Sequence, residues 1–462
     1  MPRKNSRLCV CLLALVVAGC GSHSWNLAAV RTALTAGDVP AAVAEFEKQK
    51  RNGDDLLYLL EKGHMLHLVG RWEESNAAFE SAELRAEDLY TKSISREAAA
   101  LITSDLALPY RGSPFELQMV HYYRALNYLA LRQPEEALVE ARKANERLAI
   151  YAEKNDKGEA ETLRPEAFLT YVTGLLYESE GEANDAAVAL REARRLYEDD
   201  ASLGPRAPSW LAEDLYAVAR QIGLSEVVEE LKAGDAEIAR KAKRGAENNV
   251  IILLESGFVP FREEVNITLP IYEEAKKGES GFFLGNPAWY LDEYGHDIYA
   301  YRADRVKLDH VLRFAFPSLV TPPSAVARCD VKVSGGASVA AEPALDLAAA
   351  VKSEFDRRMP RVLLKTIARA ITKEIARREG KEKDVVIGWL VNAANVATER
   401  ADTRSWIVLP SRIDIVKTSA PPGAQTIEAH FRDAAGNVIE TITADVDVLA
   451  GRTTFLSLRS FR

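Results

Sequence analysis

One pattern recurs through the first half of the chain: a small residue, an aromatic or leucine, a turn, then alanine, a bulky residue and alanine along a second stretch. Over 56–89 the positions read Gly63, Leu66, Gly70-Arg71-Trp72, Phe79 and Ala82. Over 118–148 they read Ala125, Tyr128, Gln133-Pro134, Ala137, Ala141 and Ala144. Over 167–200 they read Gly174, Tyr177, Gly181-Glu182-Ala183, Ala186, Leu190 and Ala193, and an earlier half-repeat gives Gly37-Asp38, Ala42 and Phe46. Phe46 and Phe79 are 33 residues apart, close to the ~34 of a helix–turn–helix repeat. Small residues let paired helices approach, and bulky ones fill the gap between successive hairpins, so the pattern predicts a helical solenoid. The array is irregular: Ser75 stands where alanine is expected, Ala125 stands for a glycine, and an insertion around Ile94–Phe115 separates two repeats. A further helical pair over 209–233 caps it.

Periodicity changes in the second half. Residues 241–247 read as a charged linker broken at Gly245, followed by the continuous apolar strand 249–255, a turn at Gly257 and a strand at 265–269. A hairpin follows over 326–333 and 337–341, turning at Ser334-Gly335-Gly336, and alternating strands are expected at 412–418, 425–431, 438–444 and 453–458. Between them lies a helical pair, 345–358 and 361–378, whose second member places Leu364, Ile367, Ala368, Ile371 and Ile375 on one stripe. The small-residue stretch 385–397 is expected to be a packed helix. The fold class is therefore an N-terminal tetratricopeptide (TPR)-like α-solenoid followed by an α+β domain with an antiparallel sheet or sandwich and an inserted helical pair. The boundaries are 1–19 for a signal, 20–240 for the array, 241–248 for the linker and 249–462 for the α+β domain.

The first residues change the picture of where such a protein lives. Arg3, Lys4 and Arg7 precede a short apolar run, Leu8 to Val17, which is too short to span a bilayer. It ends in Val17-Ala18-Gly19-Cys20, similar to a bacterial lipobox, where small residues admit the peptidase and the Cys20 sulfur carries the lipid. Gly21-Ser22, with no Asp after the cysteine, points by resemblance to the outer membrane of a Gram-negative envelope. Three acyl chains exceed the two signals needed for stable anchoring. Of 4 cysteines, Cys9 and Cys11 would leave with the signal and Cys20 would be lipidated, so Cys329 alone remains and is read as a small strand residue.

The 462 residues are 47% hydrophobic and 27% charged, which is ordinary for a globular protein, and a net charge of −9 excludes a dedicated nucleic-acid binder. That charge is uneven: residues 20–240 carry net −14 and residues 241–462 net +2. Arg361, Lys365, Arg369, Lys373 and Arg377 form a basic stripe, read either as a solvated face or as a contact for an acidic partner such as an anionic cell-wall polymer. Nine aromatics crowd 282–316, with Asp292, Glu293 and Asp297 nearby; such a segment covers a sheet or stacks on a sugar. Asp402, Arg404 and Trp406 are a binding cluster or a structural ion pair leading into a strand, and Glu255 at a strand end has the same two readings. Tyr122, Asn127 and Tyr128 are the candidate partner-binding residues of the array. No GxSxG, HExxH, Walker loop or CxxC is present, and His64 and His67 lack a third ligand at metal spacing. No enzyme activity, cofactor or metal is therefore expected.

Two stretches carry a family resemblance: Tyr110-Arg-Gly-Ser-Pro-Phe-Glu-Leu-Gln-Met-Val-His-Tyr-Tyr-Arg-Ala-Leu-Asn-Tyr-Leu129 with Glu136-Ala-Leu-Val-Glu-Ala-Arg142, and Asp402-Thr-Arg-Ser-Trp-Ile-Val-Leu-Pro410. They resemble a family of bacterial outer-membrane TPR lipoproteins. The resemblance covers most of the mature chain and implies its fold, but brings no activity with it. The expected function is that of a lipid-anchored periplasmic scaffold holding a protein or peptide in the array's groove. The alternatives are a regulator of peptidoglycan synthesis or envelope export machinery, and an envelope-polysaccharide binder.

Overall fold

The computed structural model describes residues 27–49, 55–91, 106, 108–154, 165–199, 205–242, 249–274, 306–383 and 400–462. Cys20, most of the aromatic segment and residues 385–397 lie outside this set. The array is built of antiparallel helical pairs: α1 (Ala28–Thr35) with α2 (Val39–Glu47), α3 (Leu56–Leu68) with α4 (Trp72–Thr91), α5 (Pro114–Ala130) with α6 (Pro134–Lys154), and α7 (Pro165–Ser179) with α8 (Ala183–Asp199). The terminal pair α9 (Ser209–Gln221) and α10 (Ser225–Gly234) is followed by a short helix α11 (Ile238–Ala242).

The repeat residues do what their sizes dictate. A Cβ placed on Gly63 would lie 2.6 Å from the Phe79 ring, and one on Gly174 would lie 2.6 Å from Leu190 Cδ2. Each glycine therefore sets the distance between the two helices of its own hairpin. Gly70 and Gly181 close the first helices in the left-handed region, at φ 72° and 79°, and Arg132 takes the same conformation at φ 60°. Ser75, which departs from the repeat, donates from Oγ to the Gly63 carbonyl at 2.7 Å and accepts from Asn127 Nδ2 at 2.9 Å. The substitution serves a buried polar network.

The second half holds two four-stranded sheets. One has the order β10 (Thr454–Ser460), β1 (Asn249–Ser256), β7 (Arg412–Ser419), β6 (Glu342–Asp346); the other has the order β5 (Val339–Ala340), β4 (Arg328–Val333), β8 (Gly423–Arg432), β9 (Val438–Val448). The pairing of β1 with β10 is parallel, Val250 with Thr454 through Ser256 with Ser460, where antiparallel strands were expected. Parallel strands need a long crossover, and here nearly the whole second half lies between them. A separate hairpin joins β2 (Phe261–Glu274) to β3 (Val306–Val320), longer than the strand foreseen at 265–269.

The layers follow from the alternation in β1. Ile251 and Leu253 enter the core shared with the helical array, whereas Val250, Ile252 and Leu254 enter the core shared with Cys329, Ala429 and Phe431 of the second sheet. A central strand buried on both faces reads as a continuous apolar run. The first sheet thus lies between the helical array and the second sheet, and one hydrophobic core runs from α1 of the array to Phe461.

The helical pair expected at 345–358 and 361–378 is one helix, α12 (Leu347–Lys383), which runs through Pro360. Its orientation also differs from the expectation. Leu364, Ile367 and Ile371 are exposed, while Thr366, Arg369 and Ala370 are buried. The helix packs along β3, and the face it buries there is the one bearing Arg369. Arg369, taken from the sequence as part of a solvent-facing basic stripe, is thus an interior residue whose Nη2 lies 3.5 Å from Thr366 Oγ1. Among the described residues no helix is long and apolar enough to cross a membrane.

Candidate partner-binding surfaces

The array's inner face is already occupied. Tyr122 and Tyr123 of α5 donate from their hydroxyls to the two oxygens of Glu255, at 3.0 and 3.2 Å. Glu255, the penultimate residue of β1, is fully buried, with Arg459 Nη1 of β10 3.9 Å away. Burial, with the Glu255 charge beside them, pushes both tyrosine hydroxyls well above their ordinary range. Trp406 packs its ring 5.6 Å from His64, 5.8 Å from Phe79 and 6.1 Å from Tyr123, and is 1% exposed. Its backbone N–H donates to Glu116 at 2.7 Å, and the other oxygen of Glu116 accepts from the Ser113 N–H at 2.6 Å, capping α5. Burial raises the Glu116 carboxyl against the pull of these hydrogen bonds.

Asn127 is fully buried, bonding Ser75, Asn76 and His67. Burial depresses both His64 and His67, so both rings are neutral at pH 7. Of the residues assigned to the groove, Tyr122 therefore joins the array to β1, Asn127 ties α5 to α3 and α4 within the array, and Tyr128 is half-buried. Trp406 is likewise a core residue and not a surface ligand. A second polar bridge joins α7, α9 and β7. There Asp214 accepts from Tyr171 at 2.9 Å and pairs with Lys417, which is 3.9 Å from Glu178. Burial, reinforced by the Asp214 charge and opposed by Lys417, pushes Glu178 up to about 7.

What remains of the groove is a cleft of about 620 Å³ between α5 and β10, lined by Leu126, Leu129, Arg132, Arg452, Leu456 and Arg459 among others. In its sheet β10 pairs with β1 on one side and is the edge strand on the other. Thr454 Oγ1 and Arg459 Nε and Nη1 are buried there without hydrogen-bond partners.

A second cavity, of about 350 Å³, lies between α12, the base of the β2–β3 hairpin and the turn before α5. It brings together Arg361, Lys365, Asp402 and Arg404, residues the sequence reading placed in two unrelated clusters. Arg404 holds Asp402 through Nη2 at 2.8 Å and Nε at 2.9 Å, and donates from Nη1 to the Leu108 carbonyl at 2.9 Å. Arg111, Arg262 and Arg358 also line the wall, Arg358 being paired with Glu354 at 2.8 Å. The side chain of Lys373 falls outside the described residues. Arg111 and Arg262 carried no local signal, because each reaches this cavity from a different element.

Glu83, His121 and Glu140 also converge, close enough to share an ion. Arg124 is already there, 2.8 Å from Glu83 and 3.1 Å from Glu140, and supplies the neutralising charge.

No protein-family model and no curated protein matches the chain. Solved structures similar to it include aspartyl phosphate phosphatase F from Bacillus subtilis (15% identity, TM-score 0.31), over 53% of this chain and 60% of that one. BtubC (BKLC) from P. vanneervenii is similar at 16% identity and TM-score 0.30, over 46% and 78%. A Rap protein complexed with competence and sporulation factor is similar at 14% identity and TM-score 0.27, over 48% and 52%. The chain thus spans little more than half of the first and third of these proteins.

Proposed function

We propose that this protein is a non-enzymatic, lipid-anchored adaptor of the bacterial envelope that takes an extended segment of a partner protein into the cleft between its helical array and strand β10. The anchor in this reading is Cys20, with the lipobox supporting lipidation and Gly21-Ser22, which lack an Asp, supporting retention at the outer membrane. The observation that carries the reading is the open edge of β10 inside the cleft. An edge strand presents unpaired N–H and C=O groups, and an extended peptide completes such a ladder while its alternate side chains fill flanking pockets. Repeat arrays hold partners in their concave groove; here the chain's own second half supplies one wall of that groove. The partner segment would carry apolar residues for Leu126, Leu129 and Leu456 and a carboxylate for Arg132 or Arg452.

The test is photocrosslinking in intact cells, with a photoreactive residue at Arg132 or Leu449 in the cleft and at Val188, an exposed position on α8 outside it. A discrete adduct from the cleft positions and none from Val188 is expected. Adducts from Val188 alone, or none from the cleft, would overturn the assignment. Cys20→Ala should in addition abolish acyl labelling and outer-membrane fractionation; labelling that persists would remove the anchor from the account.

A further inference from the structure

The inner end of the cleft is built around a guanidinium whose donors are only partly used. Arg459 of β10 is the register partner of Glu255 of β1, which places both side chains on one face of the sheet. Arg459 Nη2 donates to the Gly257 carbonyl at 2.6 Å and the Val408 carbonyl at 3.3 Å. Its Cζ lies 5.0 Å from the Phe461 ring and 5.8 Å from the Phe258 ring. Two carbonyls and two rings thus hold the group in place. The side chain is 8% exposed, yet Nε and Nη1 have no hydrogen-bond partner. Glu255 Oε2 is 3.9 Å from Nη1, beyond hydrogen-bond range, and accepts instead from Tyr123, while Oε1 accepts from Tyr122. Both Arg459 and Glu255 line the cleft. A buried donor left unpaired is costly, so an acceptor that enters the cleft is favoured here.

Charge decides which acceptor fits. Arg459 and Glu255 balance one another, and the nearby His64 and His67 rings are neutral. An arriving carboxylate would set two anions on one guanidinium, and a buried charge without its own counter-charge is strongly disfavoured. An uncharged carbonyl accepts from Arg459 and leaves the balance intact. A primary amide also offers an N–H to Glu255. Its oxygen and nitrogen are about 2.3 Å apart, so hydrogen bonds of ~2.9 Å at each end span the 3.9 Å between Nη1 and Oε2.

The sheet fixes where that amide sits. Phe455 and Phe461 of β10 pack toward the array, whereas Leu456 and Leu458 pack toward the second sheet. A strand added to β10 continues this alternation. One set of its side chains then meets α5 at Leu126 and Leu129, and the other meets the end of β9 at Val446 and Leu449. A strand covered on both faces is apolar on both. The exception is the residue opposite Arg459, whose side chain shares the face of Arg459 and Glu255. The carboxylate for Arg132 or Arg452 belongs at the mouth, where Arg132 is 70% exposed.

We propose, taking the cleft as the partner's site, that Arg459 and Glu255 form a subsite for a primary amide. The bound segment is then an extended apolar run along the 7 residues of β10, interrupted by one glutamine or asparagine opposite Arg459.

The test is selection of a phage-displayed random peptide library on the purified full chain, with the selected peptides resynthesised and titrated by fluorescence anisotropy. The selected peptides should be apolar at alternate positions on both faces and share one Gln or Asn. Changing that residue to Ala, Leu or Glu should weaken binding about tenfold. Glu255→Gln removes the balancing carboxylate and leaves the subsite net positive, so there the Glu peptide should bind about tenfold better than the Gln peptide. The wild-type comparison needs only peptide variants, so it decides the matter even if Glu255→Gln fails to fold. Leu449→Arg, at an exposed position on the cleft wall, should weaken every selected peptide. Peptides lost on Leu449→Arg that bind the wild type equally with Gln, Leu and Glu, or best with Glu, would overturn the amide subsite and leave the cleft standing. A Glu255→Gln chain that still prefers the Gln peptide would do the same. No enriched peptide, or peptides indifferent to Leu449→Arg, would instead remove the cleft as the partner's site, and the subsite with it.

Discussion

Removing the Trp406 side chain interrogates the junction between the array and the sheets. Its ring is 1% exposed and touches His64, Phe79 and Tyr123, which belong to α3, α4 and α5. Trp406→Ala deletes the largest fully buried side chain among the described residues and opens a void between the halves. Such truncations cost about 3–5 kcal/mol, a hundredfold to several thousandfold in the folded population and a large part of the ~5–15 kcal/mol that holds a typical domain. Trp406→Phe should cost about 1–2 kcal/mol, because it retains most of the apolar volume and the indole Nε1 it removes has no hydrogen-bond partner. The assay is urea unfolding followed by far-ultraviolet circular dichroism, weighted to the array's helices, and by intrinsic fluorescence of the remaining tryptophans. Since one core runs through both halves, the two probes should shift together. A loss below about 1 kcal/mol in Trp406→Ala, or a helical transition that stays in place while another moves, would refute the shared core.

Three further outcomes follow from the same geometry. Glu178 binds its proton more tightly folded, near pH 7, than unfolded, near 4.5. Its contribution is therefore fully present below pH 4.5 and fades as pH rises through 7; against Glu178→Gln, the wild type should lose on the order of 1 kcal/mol between pH 5 and 8, and parallel stability profiles would contradict this. Gly174→Ala places a methyl 2.6 Å from Leu190; overpacking of about 1–3 kcal/mol exceeds the ~1 kcal/mol gained in helix propensity, so the midpoint in urea should fall. Cys329 is buried, and burial with the Asp414 charge beside it pushes the thiol far up, so iodoacetamide at pH 8 should label it in urea and leave it unlabelled in the native protein.

How much of this was legible in the sequence depends on how far apart the interacting residues lie. The hairpins were readable because Gly63 and Phe79, or Gly174 and Leu190, meet within one repeat. The terminal strands were readable from alternation, and β7, β8, β9 and β10 start within two residues of their expected positions. The junction was not readable. Tyr122 and Glu255 are separated by 133 positions, and Glu116 and Trp406 by 290. Neither residue of either pair carries a local mark distinguishing a surface ligand from a buried clasp. The orientation of α12 was misjudged for a different reason. An apolar stripe on a helix is normally read as its inward face, and nothing in 361–378 shows that Arg369 has the buried partner surface and the isoleucines do not. The cationic cavity was half legible: Arg361, Lys365, Asp402 and Arg404 were singled out, but as two clusters, because α12 and the 400–404 segment lie far apart in sequence and are brought to one cavity only by the fold.

The most direct test of the central claim, that the second half fills the array's inner face, is native-state hydrogen exchange resolved by peptide. Amides of α5, which carries Tyr122, Tyr123 and Asn127, and of β1, which carries Glu255, should open with the same free energy and respond equally to low urea, because neither can lose its partner alone. Exchange of α5 through a much lower-energy opening that leaves β1 protected would mean the array lets go of the sheet while the sheet stays folded, and would contradict the claim.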